Sequence, residues 1–364
     1  MPPLDACGRQ SCASRSAHSR GHRAGSVVNF AACSALVARL CLYVQVLRGI
    51  RPAPAYDVVG MSENKIDFLG IGAQKAATSW LYENLQRHPD IWLPPIKELH
   101  YFDRSPHYPS PSHLSTDHLL HRLLGRERFN KQFRKNLHGD LKASISAKDW
   151  QTVAWLLHYY LGTYGDHWYF SLFRPADGKL KGEITPSYSI LDLRDVAHIR
   201  GIVPDLKIIM ILRNPIERAW SHLRFISMLG MFKDINDLDK ARQFIDSDDQ
   251  SLRGDYVRTL DIWHACFPEE QIYIGFFEDV QRDPGKLITD IYNFLGVHSR
   301  FAVDRMKVKT KVNAAKSVNM PAEISYYLAE KYHPMLKKLT AMVGGYSIAW
   351  LTMAEKILSR TQLF

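Results

Sequence analysis

Residues Phe68–Leu85 read FLGIGAQKAATSWLYENL, and this stretch decides the fold. An apolar run is followed by a turn of small residues and then by Trp80, Leu81 and Leu85 at helical spacing. A short apolar run bounded by glycine is the pattern of a buried strand, and the spacing after it is that of a helix. Gly70, Gly72, Ala73, Ala76 and Ala77 leave room for the backbone to approach a ligand. Thr78 and Ser79 stand at the helix start, where backbone N–H groups and the helix dipole favour an anion. Lys75 adds a mobile cation to the same loop. A plain strand–turn–helix unit capped by Thr78 or Ser79 shows the same pattern. Lys75 is followed by Ala-Ala-Thr-Ser, so Gly-Lys-Ser/Thr, the phosphate loop of a Mg-dependent nucleotide triphosphatase or kinase, is absent.

The same rhythm continues downstream. Strands are expected at 66–73, 179–184, 207–212 and 271–277, and helices at 79–88, 215–229, 255–266 and 284–295. Strands alternating with helices predict an α/β fold, a central parallel sheet with helices on both faces. Ligands of such sheets bind at the carboxyl ends of the strands. Residues 104–178 interrupt the alternation with a mainly helical, aromatic-rich insertion (Trp150, Trp155, His158, Tyr159, Tyr160, Tyr164, His167, Trp168, Tyr169), expected to cover the site. Such aromatics suit stacking on sugar rings, a phenol or a lipid headgroup, or simply a core. Further helices are expected at 320–340 and 346–360. The main domain is read as 61–345, with a C-terminal helix in 346–364.

Three more segments carry candidate chemistry. KIIMILRNPIERAWSHLRF (Lys207–Phe225) is a strand ending at Arg213, then a helix with Pro215 in its first turn. A guanidinium at a strand tip suits an oxyanion, whereas Glu217 and Arg218 read as solvated helix charges. KELHYFD (Lys97–Asp103) offers Glu98 and His100 as proton acceptors. GEITPSY (Gly182–Tyr188) follows a strand; Glu183 is placed to orient Lys75 or Glu98, and Pro186 and Tyr188 to shape an acceptor pocket.

The Lys75 and Arg213 segments together resemble sulfotransferases that use 3′-phosphoadenosine 5′-phosphosulfate (PAPS), most closely the heparan sulfate and bacterial branch. The resemblance spans about residues 66–340. It implies a three-layer fold like that of P-loop NTPases, PAPS as donor, PAP as product and no metal. It places Lys75 on the transferring group and leaving phosphate, and Thr78 and Ser79 on the 5′-phosphate, with Gln74, Ala76 and Ala77 in the binding loop. Arg213 and Ser221 fall on the 3′-phosphate. A similar Glu-x-His context favours Glu98 as base, while other branches use a His, which keeps His100 in play. Many relatives carry a lysine after the glutamate of the third segment; Ile184 stands there instead, which leaves Lys75 as the main cation. The loop Lys309–Pro321 resembles one closing over the nucleotide, with Lys311, Asn313 and Lys316 as candidates. The acceptor is expected to be a carbohydrate or small molecule.

The chain of 364 residues carries a net charge of +10, half of it in the first sixty residues. The rest is mildly basic, which favours anionic ligands without suggesting nucleic acid. Four of the five cysteines (Cys7, Cys12, Cys33, Cys41) precede residue 42, leaving Cys266 in the body. With no disulfide framework and no Asn-x-Ser/Thr, the body reads as cytoplasmic. Residues 26–47 are long enough for a membrane anchor, but Arg39 in mid-stretch costs about 2.5–3.5 kcal/mol there. Residues 1–60 are read as a non-folding extension, with an anchor as the alternative.

Overall fold

The computed structural model describes residues 65–109, 116–176, 178–230, 237–298 and 319–361. The expected extension 1–60, its segment 26–47, and Lys311, Asn313 and Lys316 lie outside the described residues. Among the described residues, no helix is long and apolar enough to cross a membrane.

The chain begins with β1 (Phe68–Gly72), α1 (Thr78–Gln86) and a two-residue β2 (Ile91–Trp92). The insertion supplies α2 (Leu119–Leu124), α3 (Arg128–Ser146), α4 (Trp150–Leu161) and α5 (Asp166–Ser171). Then come β3 (Leu180–Ile184), α6 (Leu193–Ile202), β4 (Lys207–Leu212), α7 (Pro215–Met228), α8 (Leu238–Ile245), α9 (Asp248–Gly254) and α10 (Tyr256–Cys266). The remainder is β5 (Ile272–Phe276), α11 (Phe277–Arg282), α12 (Pro284–Leu295), α13 (Ala322–Val343) and α14 (Tyr346–Thr361). The strands form one parallel sheet in the order β2-β3-β1-β4-β5.

Every residue of β1 and all of β4 but Lys207 are buried. Successive strand side chains point to opposite faces, so unbroken burial requires cover on both sides, giving the expected three-layer α/β fold. Local chemistry sets the boundaries. Asn214 Oδ1 accepts from the Ile216 amide at 3.0 Å and Pro215 opens α7. Asp283 caps α12 through the Lys286 amide, and Gly296 closes it at φ 86°. The four expected strands and four expected helices are all present within two residues at each end. β2 is an addition, because two apolar residues carry no period to read.

Sheet pairing also explains the glycines near the first motif. A side chain at Gly70 would meet Ile184 at 3.0 Å, and one at Gly72 would meet Ser189 at 3.2 Å. Their smallness lets β1 pack against β3 and against the turn that follows it.

The insertion is helical, as expected, but its aromatics do not form a stacking platform. Trp155, Tyr159, Tyr160, Tyr164, Trp168 and Tyr169 are buried, while Trp150 is 51% exposed. Tyr169 stacks on Tyr101 with ring centroids 4.7 Å apart, and the Trp155 indole donates to the Leu172 carbonyl at 2.8 Å. These rings bury apolar area that a single sheet leaves uncovered.

Candidate functional site

The strand order puts β1 between β3 and β4, so the chain segments leaving all three emerge side by side. These segments begin at Ala73, Thr185 and Arg213. Arg213 Nη1 donates to the Lys75 carbonyl at 3.0 Å, so the two cations predicted from separate motifs share one site.

The loop between β1 and α1 is a cradle of amides. Lys75 (φ 66°) and Ala77 (φ 62°) both take left-handed backbone, and Ala77 is the N-cap of α1 with no side-chain cap. Capping by Thr78 or Ser79 is therefore not observed: Thr78 is buried and Ser79 half-buried within the first turn. The Ala76 amide donates to the Ala73 carbonyl at 3.1 Å and is spent inside the loop. Those of Gln74, Lys75, Ala77, Thr78 and Ser79 have no acceptor among the described residues. Alternating backbone handedness that leaves amides uncommitted forms an anion-binding concavity. Gln74 Oε1 and Arg213 Nε are likewise buried without a hydrogen-bond partner.

The cations crowd. Lys75 Nζ lies 4.0 Å from the centroid of the Phe225 ring. Burial, then Arg213 and Arg224, push the Lys75 ammonium below its ordinary pKa, while Glu98 partly restores it. Arg213 is also pushed down by burial, against the pull of Glu217, whose Oε2 is 3.5 Å from Nη2. The Phe277 ring lies 4.3 Å from its guanidinium carbon. Ser221 is half-buried on α7. It lies one turn from Glu217 and one turn from Phe225, hence on the stripe that touches Arg213 at one end and Lys75 at the other.

Glu98 and His100 form one network with two further residues. Lys97 donates to Glu98 Oε1, and His100 reaches Glu98 Oε2 at 3.6 Å and Asp103 Oδ2 at 2.7 Å. Burial would raise the Glu98 pKa, but the His100 hydrogen bond and the Lys97 charge outweigh it and hold the carboxyl at about 2. Burial would lower that of His100, yet Asp103 and Glu98 push it up to about 10. His100 is thus an imidazolium between two carboxylates. Both Glu98 (φ 67°) and His100 (φ 57°) have left-handed backbone, a conformation that costs about 1–3 kcal/mol per non-glycine residue and persists only where its surroundings impose it.

Glu183 imposes it. This fully buried carboxylate accepts from Tyr169 Oη (2.5 Å), Thr185 Oγ1 (2.6 Å), Tyr188 Oη (2.8 Å) and the Leu99 amide (3.2 Å). It holds the loop between Glu98 and His100 and makes no hydrogen bond to Lys75 or Glu98. Tyr188, also fully buried, belongs to this hub rather than to an acceptor pocket. Arg218 departs from expectation as well. It is fully buried, donating to Gln250 at 3.3 Å and Tyr332 at 3.4 Å, because its position on α7 faces α9 and α13 rather than solvent.

Sequence reasoning passed over Asp103, Tyr169, Arg224 and Phe225 as site residues. Asp103 lay at helix-like spacing from His100 and Phe225 one turn past Ser221, signals too common to single out. Tyr169 reaches Glu183 from the end of the insertion, which no periodic pattern records.

The chain is similar to proteins of known family. Over 135 residues (36% of this chain) the sequence is 30% identical to heparan sulfate glucosamine 3-O-sulfotransferase 6 of Mus musculus, covering 39% of that protein. Over 334 residues (78% of this chain) it is 24% identical to carbohydrate sulfotransferase 15 of Mus musculus, covering 54% of that one. The chain thus spans about half or less of these relatives' lengths. The crystal structure of a sulfotransferase from Alicyclobacillus acidocaldarius superposes with a TM-score of 0.56 at 23% identity, over 79% of this chain and 98% of that one, and so shares the fold. The family model for the sulfotransferase domain matches residues 65–338, nearly the whole described fold, and the chain belongs to that family.

Proposed function

We propose that the chain transfers a sulfuryl group from PAPS to a hydroxyl or amine of an acceptor, releasing PAP. The observation that carries this reading is the meeting of Lys75 and Arg213 at one amide-lined loop. Two half-buried, mutually repelling cations with uncommitted donors around them favour a polyanion. The orphaned Arg213 Nε supports such a ligand, since a buried donor without a partner costs about 1–3 kcal/mol.

Lys75 neutralises charge on the bridging oxygen as its bond to sulfur breaks, and the loop amides with Thr78 and Ser79 hold the 5′-phosphate. Arg213 and Ser221 hold the 3′-phosphate. The acceptor oxygen or nitrogen forms its bond to sulfur as the leaving oxygen departs, and its proton passes to Glu98. Of the two candidate bases Glu98 is preferred: His100 already carries its proton, whereas Glu98 is ionised throughout the physiological range. A carboxyl held at about 2 is a weak base. Lys97 turning toward the anionic donor releases Glu98 and raises its basicity. Catalysis then rests on positioning and electrostatics, as in phosphoryl transfer.

A carbohydrate acceptor is the preferred class, supported by the relatives named for heparan sulfate and carbohydrate. Incubation with ³⁵S-labelled PAPS and a panel of glycans, phenols and amines tests the reading. Label is expected in a glycan, and no transfer to any acceptor refutes the transferase assignment.

A further inference from the structure

Resting on the transferase reading, we propose that Glu183 is a positioning residue: its carboxylate fixes the Leu99 amide and so sets the strained backbone that presents Glu98 and His100 to the transfer site. The loop from Glu98 to Tyr101 hangs on three hydrogen bonds to buried groups. The Leu99 amide donates to Glu183 (3.2 Å), the Tyr101 amide donates to Tyr188 Oη (3.1 Å), and Tyr159 Oη donates to the Leu99 carbonyl (3.2 Å). Tyr188 Oη, already accepting from Tyr101, gives its own hydrogen to Glu183. Glu183 therefore ties both amides of the loop, one directly and one through Tyr188.

Four donors converge on the two oxygens of Glu183, which matches what a carboxylate accepts. A glutamine reproduces this arrangement only in part. With its nitrogen at the Oε2 position, an N–H group faces the Leu99 N–H, which cannot accept. With the nitrogen at Oε1, it faces two tyrosine hydroxyls that must stop donating, one of them already an acceptor. The first placement loses the Leu99 tie outright; the second keeps it but leaves two tyrosine hydrogens without their acceptor directly behind the left-handed residues Glu98 and His100. The nucleotide cations stand apart from this hub, since neither Lys75 nor Arg213 hydrogen-bonds Glu183.

The test compares Glu183→Gln and Tyr188→Phe with the wild type by hydrogen exchange of the 97–103 segment, by PAP affinity and by steady-state kinetics. Leu99 and Tyr101 amides are expected to exchange faster in both variants, with β1 and β4 unchanged. PAP affinity and the donor KM stay at wild-type values while kcat falls, by about 10²-fold in Glu183→Gln, the scale of a misplaced catalytic group. If Glu183→Gln does not fold, Tyr188→Phe, which removes one oxygen and keeps the ring, carries the comparison. Unchanged exchange at Leu99 and Tyr101 overturns the proposal, as does PAP affinity falling in step with kcat. A wild type that moves no sulfuryl group from PAPS overturns the transferase reading alone, and the exchange data still decide the role of Glu183.

Discussion

Replacing Lys75 by alanine separates catalysis from folding. A unit charge about 4 Å from a developing anion at an effective dielectric near 20 is worth about 4 kcal/mol. At about 1.4 kcal/mol per decade this is nearly a 10³-fold loss of kcat, in line with about 10²–10³ for removal of one preorganised donor. The effect on stability is small, because two terms oppose. Burial and the neighbouring Arg213 and Arg224 depress the Lys75 pKa. A lysine depressed in the folded state destabilises the fold fully below that lowered pKa, and the penalty fades as pH rises toward the unfolded value. At neutral pH the alanine variant is free of this penalty. It also loses the ammonium on the Phe225 ring at 4.0 Å, an interaction worth about 0.5–2 kcal/mol. The melting temperature is therefore expected to move by no more than about 3 °C while turnover collapses. Turnover is read as PAP released from saturating PAPS, and unfolding by calorimetry on the same preparation. A variant within tenfold of wild-type turnover, with an unchanged melting curve, refutes the electrostatic role of Lys75.

Arg213→Ala removes a charged donor and the bond to the Lys75 carbonyl; PAP affinity measured by titration calorimetry is expected to fall by about 1.5–3 kcal/mol, and unchanged affinity counts against the phosphate role. The His100 pKa, raised from 6.5 to about 10, implies stability fully present below pH 6.5 and lost as pH rises toward 10. His100→Gln should flatten that alkaline decline in urea-unfolding midpoints, and parallel declines would show that His100 is not charged in the fold. A side chain at Gly182 would sit 2.4 Å from the Phe68 carbonyl; Gly182→Ala should lower the urea midpoint by the equivalent of about 1–3 kcal/mol, and a neutral result would mean that β1 and β3 pair less closely than described.

The sequence alone determined the parallel sheet and the two cations, because both are written in short range. Buried parallel strands are continuous apolar runs, and a ligand cation at a strand tip follows its strand directly, as Arg213 follows Leu212. It also named Glu98 and His100, yet left the proton acceptor open, since their states depend on Asp103 and Lys97 meeting them in space. What only the tertiary structure decided is which elements meet around a polar group. Glu183 gathers Tyr169 from the insertion, Tyr188 from the next turn and the Leu99 amide, which is 84 residues distant. Arg218 reads as a surface charge until α9 and α13 close over it, and the insertion's aromatics read equally well as a platform or a core. Periodicity records which face of an element is apolar, whereas burial of a polar group depends on which other element arrives to satisfy it.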